Sequence, residues 1–173
     1  MRSKEIGFTL LELVVTMAIV AIVVAAAVPS FTTTAANSRG FAMANDYFNT
    51  LSVARGQAVT LSTTVTVCNL DASNNCSSNW QDGVTAFIDS DNNGKFDGTD
   101  QKLREVDAIE NRDKVIANNN GRIVFNPEGM VSGTGITITV CPNKKGDQGR
   151  EVIVAISGRI RVESWRDLTA INC

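Results

Sequence analysis

Residues 4–29 read KEIGFTLLELVVTMAIVAIVVAAAVP. A short charged head (Arg2, Lys4, Glu5) leads to Gly7, and an apolar run then extends from Phe8 to Val28 with one interruption, Glu12. As a helix those 21 residues rise about 1.5 Å each, roughly 32 Å in all, enough to cross a hydrocarbon core of about 30 Å. An ionised carboxylate inside such a run is costly, so Glu12 is expected to have a partner and a purpose. A cleaved secretory signal would share the basic head and the small residues Ala25, Ala26 and Ala27. Its apolar middle, however, would be shorter and uncharged.

The block Gly7-Phe8-Thr9-Leu10-Leu11-Glu12 resembles the prepilin signature of type IV pilins and type II secretion pseudopilins. The resemblance implies cleavage after Gly7 by a prepilin peptidase and N-methylation of Phe8. It implies that Glu12 meets the N-terminal amine of a neighbouring subunit during assembly, and that Pro29 kinks the helix. A carboxylate and an ammonium in a low-dielectric layer relieve each other's desolvation, which suits that pairing. The implied location is the inner membrane, with a cytoplasmic N-terminus and a periplasmic head, followed by incorporation into a surface pilus beside major and minor pilins.

The chain has 173 residues and a net charge of −2. Residues 8–140 hold 8 basic and 13 acidic residues, net −5, whereas residues 141–173 hold 6 basic and 4 acidic, net +2. The tail is thus locally basic on an acidic protein, and local fields matter more than the total to a polyanionic partner. There is no histidine, no P-loop, no G-x-S-x-G and no C-x-x-C pair, so the inventory offers neither an enzyme site nor a zinc site, and no cofactor is expected. Cys68, Cys76, Cys141 and Cys173 allow three pairings in an exported, oxidising setting. The expected set is Cys68–Cys76, closing a short polar loop, with Cys141–Cys173, pinning the C-terminus to a strand.

Residues 30–60 read helical: Phe41, Ala44, Phe48, Leu51 and Ala58 make an apolar stripe expected to lie on a globular head. Gly40 and Gly56 weaken this helix locally. The pattern then turns to short β-branched runs at 63–68, 83–88, 121–125, 136–141, 152–156 and 159–163, with weaker runs at 103–109 and 114–117. Short strands joined by short turns argue for antiparallel pairing. The expected fold is α+β: a leader over residues 1–7, a membrane and assembly helix over 8–29, its amphipathic continuation over 30–60, and a β-rich head over 61–173.

The order of the head segments also resembles the GspH/FimT family of minor pilins and pseudopilins. It runs through Phe87-Ile88-Asp89, Phe125-Asn126-Pro127-Glu128-Gly129, Ile136-Thr137-Ile138-Thr139-Val140-Cys141 and Ser157-Gly158-Arg159-Ile160-Arg161. The family fold is a long N-terminal helix packed on antiparallel sheet.

Two stretches are candidates for chemistry beyond assembly. Asp89 to Asp100 follows a calcium-loop pattern, with Asp89, Asp91, Asn93, Gly94 and Asp97 in register. Asp100 stands where the bidentate glutamate should be and the preceding segment is a strand, so a polar turn rich in Asn, Asp and Gly competes with the metal reading. The second candidate is the basic tail. Arg159 and Arg161, two apart on a strand, share a face. If the intervening loop folds beside them, Lys144, Lys145 and Arg150 complete a patch of five cations. A pair of solvated arginines balanced by Glu151, Glu163 and Asp167 is the plainer alternative. Gly158-Arg159-Ile160-Arg161 matches the G-R-x-R motif of FimT-type minor pilins, which bind DNA in natural transformation. FimU-type pilins and GspH pseudopilins generally lack it. The resemblance therefore implies phosphate contacts by Arg159 and Arg161, insensitive to sequence and sensitive to salt. The alternative is a structural minor pilin or pseudopilin that primes or caps a filament without touching DNA. Trp80 and Trp165 are expected to pack rather than to stack on bases.

Overall fold

A computed structural model describes residues 8–118, 121–145, 148–164 and 173. The chain falls into two units, Met1–Ala35 and Ala36–Cys173. The helix α1 (Leu10–Leu61) begins in the first and runs into the second. Thr9 caps it: the Thr9 hydroxyl oxygen accepts the Glu12 backbone N–H at 3.2 Å, and the Thr9 carbonyl accepts the Leu13 N–H. Thr9-Leu10-Leu11-Glu12 is thus the T-x-x-E order of a capping box, and its acid sits in the first turn, where the helix dipole favours it. Leu10 to Val24 expose their large apolar side chains, and the most apolar 18 residues of α1 have a mean hydropathy of 2.7. A surface of that kind is stable only under a bilayer or other chains. The helix continues on both sides of Pro29. Gly7 and the rest of the expected leader lie outside the described residues.

Within the second unit, α1 buries Ala36, Met43, Ala44, Tyr47, Leu51, Ala54 and Ala58. Ala44, Leu51 and Ala58 of the expected stripe are buried, but the face is centred on Tyr47 and on small residues, which corrects the stripe at Phe41 and Phe48. Phe41 is 57% exposed, and Phe48 lies on the flank, partly covered. Counting large side chains displaced the axis, because alanines mark the true contact face. Gly40 belongs to that face. A Cβ there would come within 2.7 Å of Pro142 Cγ and 2.9 Å of the Gln148 carbonyl oxygen. The glycine permits close approach, so its helix-propensity cost is repaid in packing.

The head holds two antiparallel sheets, in keeping with the expected antiparallel pairing. In the first, β1 (Val65–Leu70) pairs with β2 (Cys76–Ser77), β3 (Val84–Ile88) and β6 (Arg122–Phe125), and β3 also pairs with β4 (Gln101–Val106). The second has the order β5-β7-β8-β9, from β5 (Lys114–Ala117), β7 (Ile136–Cys141), β8 (Arg150–Val154) and β9 (Ile160–Ser164). The strand β2 lies in a stretch expected to be loop, held beside β1 by the Cys68–Cys76 disulfide. Cys141 is joined to Cys173. One core fills the space between helix and sheets, with Tyr47, Trp80, Phe125, Ile123, Ile138 and Val152 buried in it. The Tyr47 hydroxyl donates to the Trp80 carbonyl at 2.7 Å. Burial, aided by the charge of Asp46, holds that hydroxyl well above the ordinary phenol range, so it stays a donor. Trp80 is packed, as expected. Trp165 lies outside the described residues.

Candidate functional site

The polar loop from Asp89 to Asp100 is built from its own backbone. Asp89 is fully buried; its carboxylate accepts the Thr66 hydroxyl at 2.7 Å and the backbone N–H groups of Asn93 and Gly94. Asp91 accepts from Asn93, and Asp97 from the backbone and hydroxyl of Thr99. Asp100 accepts from the Ser90 and Asp97 backbones. The Thr99 backbone N–H and hydroxyl, then the Asn93 amide, hold the exposed Asp97 carboxyl below its usual range. Among the described residues no cluster of metal-ligating side chains is assembled. These acids close turns, as Asp and Asn commonly do.

The basic tail is arranged by the second sheet. Register pairs Arg150 with Ser164, Glu151 with Glu163, Val152 with Val162 and Ile153 with Arg161. Side chains alternate along a strand, so Arg161 shares a face with Ile153, Glu151 and Glu163. Ile160 and Val162 turn to the core with Val152 and Val154. Arg159, just before β9, continues the Arg161 row and is exposed. Arg161 is 40% exposed and its Nε donates to Glu163 Oε1 at 2.7 Å. Glu163 faces Glu151 across the strands, and like charges so placed repel, so the arginine also relieves that pair.

The patch of five cations does not form. Arg150 opposes Ser164 at the far end of β9, about five residues or roughly 16 Å from Arg159. It also has the parity of Val152 and Val154, opposite to that of Arg161, and its Nη1 donates to the Gly149 carbonyl. Lys144 and Lys145 are exposed in the turn that follows β7, at the same end as Arg150. The reason lies in antiparallel geometry: a connection between β7 and β8 emerges at one end of the sheet, and the turn between β8 and β9 at the other.

At the Arg159 end a different cation is present. Gly158 has φ +76° and lies beneath the turn 126–130, so that a Cβ on it would fall 1.8 Å from the Gly129 carbonyl oxygen and 2.7 Å from Arg55 Nε. The Arg55 Nε, from α1, donates to that carbonyl at 2.9 Å. The turn is tight: Gly129 donates to the Asn126 carbonyl, and Met130 to the Asn126 side chain. Val131 donates to the Ile156 carbonyl and joins it to the turn after β8. Two glycine-bearing turns and one arginine therefore lock the start of β9. Arg55 was not singled out in the sequence, where it is one polar residue off the apolar stripe. Only the topology brings it beside Gly158.

Three arginines thus occupy one end of the head, with one carboxylate in direct competition. Exposed surface ion pairs contribute about 0–1 kcal/mol, so Arg161 can leave Glu163 for a phosphate at little cost. Guanidinium groups grip phosphate oxygens in two-point fashion.

The sequence profile described as type II transport protein GspH matches residues 43–158. A second, the prokaryotic N-terminal methylation motif, matches residues 2–28. No curated protein matches the sequence. Among solved structures, the chain is similar to the type IV minor pilin FimU of Pseudomonas aeruginosa, with 21% identity and a TM-score of 0.58 over 73% of this chain and 89% of that one. It is also similar to EpsH, a minor pseudopilin of the type 2 secretion system of Vibrio cholerae, with 13% identity and a TM-score of 0.52 over 72% and 96%. At those identities the likeness concerns the fold.

Proposed function

The chain belongs to the type II transport protein GspH family, and from that premise we propose that it is a minor type IV pilin whose β9 end binds DNA for uptake. A prepilin peptidase cleaves after Gly7, Phe8 is N-methylated, and Glu12 pairs with a neighbouring subunit's amine as the apolar helix moves from the inner membrane into the pilus. The head then presents Arg159 and Arg161 to extracellular DNA. The observation that carries this reading is the row of exposed Arg159 and half-exposed Arg161, held in place by the locked Gly158 turn. Binding is through phosphates, indifferent to sequence, weak for one subunit and strengthened by several subunits along a filament.

A second reading follows from the Arg161–Glu163 ion pair and the net negative head: a structural subunit that starts or caps a filament and binds no DNA. Fluorescence anisotropy of a labelled duplex with the detergent-solubilised full chain separates the two. The first reading expects binding that weakens with salt and is lost in Arg159→Gln/Arg161→Gln, at unchanged thermal stability. Absence of binding by the unaltered chain at low salt supports the second.

A further inference from the structure

Beside the arginines lies a groove of about 540 Å3 between α1 and β9. Phe48, Ser52, Arg55, Gly56 and Val59 line it from one helix face, and Ile160 from β9. Its volume is within the roughly 300–1,000 Å3 of small-molecule sites. Gly56 keeps it open: a Cβ there meets nothing within 4 Å, and the backbone is ordinary helix. The groove therefore continues over a helical position that carries no side chain. Its walls are apolar and aromatic at Phe48, Val59 and Ile160, with a guanidinium at Arg55. Ile160 sits between Arg159 and Arg161 in sequence, and its side chain points to the opposite face of β9. The β9 strand is also the edge of its sheet, so nothing in that sheet covers its outer side.

We infer that this groove receives an unpaired nucleobase, and that the site prefers single-stranded DNA to duplex. The inference rests on the proposed DNA contact at Arg159 and Arg161. A strand whose phosphates lie on those two arginines crosses the β9 edge, and a base turned over that edge meets the Phe48 side chain, Ile160 and Arg55. Charge complementarity selects the occupant: an apolar cleft that carries the Arg55 guanidinium, behind an edge strand whose other face bears Arg159 and Arg161, suits a polyanion that carries flat apolar rings. Duplex DNA keeps the faces of its bases stacked and offers only phosphates. A single strand offers both, and base stacking on aromatic side chains is tolerant of sequence.

The test uses the full chain in detergent and three labelled probes of equal length: oligothymidylate, an abasic sugar–phosphate strand, and a duplex. The expected result is oligothymidylate bound about tenfold more tightly than the abasic strand, which is within what one stacked base supplies. Gly56→Leu fills the groove with a better helix former, so folding is not put at risk. It should abolish the difference between oligothymidylate and abasic strand and leave duplex affinity unchanged. Equal binding of oligothymidylate and abasic strand by the unaltered chain would overturn the inference and leave the DNA contact standing. Loss of all three probes in Gly56→Leu would also overturn it, as would a variant that binds all three normally but no longer assembles into pili, which would assign the groove to a neighbouring subunit. Failure of the unaltered chain to bind any probe would remove the DNA reading itself.

Discussion

Gly158→Ala is the substitution on which the structure speaks most quantitatively. Two costs add. An alanine at φ +76° pays about 1–2 kcal/mol for the left-handed backbone. Its Cβ would also stand 1.8 Å from the Gly129 carbonyl oxygen, a distance that cannot be kept, so the turn 126–130 must retreat. Retreat breaks the bond from Arg55 Nε to that carbonyl, a partly buried hydrogen bond from a charged donor worth about 1.5–3 kcal/mol. Together these give about 2.5–5 kcal/mol. At roughly 2–4 °C per kcal/mol for a chain of this size, the melting temperature should fall by roughly 5–20 °C. Two other glycines are internal standards. Gly133 has φ +102° and nothing within 4 Å of a Cβ, so Gly133→Ala should cost only the backbone term of about 1–2 kcal/mol. Gly98 has neither feature, and Gly98→Ala should stay within about 0.5 kcal/mol of the parent. Thermal unfolding followed by the fluorescence of the buried Trp80 reads all three. Equal losses for Gly158→Ala and Gly133→Ala would refute the lock between the two turns and Arg55.

Glu163→Gln removes the carboxylate that competes for Arg161 and lifts the repulsion from Glu151; duplex affinity at low salt should rise about two- to fivefold, and anisotropy should show the gain shrinking as salt is added. Replacing Cys141 and Cys173 by serine opens a loop of 32 residues and should cost about 3.7 kcal/mol on loop-closure grounds, against about 2.5 kcal/mol for the 8-residue separation of Cys68 and Cys76, as denaturant titration would measure. Glu12→Gln should abolish incorporation into pili, scored by immunoblot of sheared filaments, while the unfolding of the head stays unchanged.

Much of the architecture is written locally in the chain. The change from three-four spacing to β-branched alternation after Ser62 announces the end of α1; the strand at Ile136–Cys141 follows its run, and the one expected at 152–156 lies two residues earlier, at Arg150–Val154. The shared face of Arg159 and Arg161 also follows from spacing alone. Other features depend on what the strands pair with. Whether Arg150 joins Arg161 is decided by the register Arg150–Ser164 and by which end of the sheet each connection leaves, and neither is local. The same holds for Arg55, placed against Gly158 by the crossing of α1 over the sheet. The helix face was misjudged at Phe41 for a simpler reason: the contact face runs through Gly40, Ala44, Ala54 and Ala58 beside Tyr47 and Leu51, and Phe41 and Phe48 lie to its flank. The paired motifs around Gly129 and Gly158 become intelligible only together, since the Gly129 carbonyl leaves no room for a side chain on Gly158, while Val59 and Arg55 of α1 crowd the position of one on Gly129.

The division of the basic tail is most directly tested by the salt dependence of duplex binding. Each phosphate neutralised contributes about 0.9 to the slope of log affinity against log salt. The slope should therefore fall by about 0.9 in Arg159→Gln and be unchanged in Lys144→Gln/Lys145→Gln, whose lysines lie at the other end of the sheet. A slope unaffected by Arg159→Gln, but lowered by about 1.8 when both lysines are replaced, would contradict the placement of the DNA site at the start of β9.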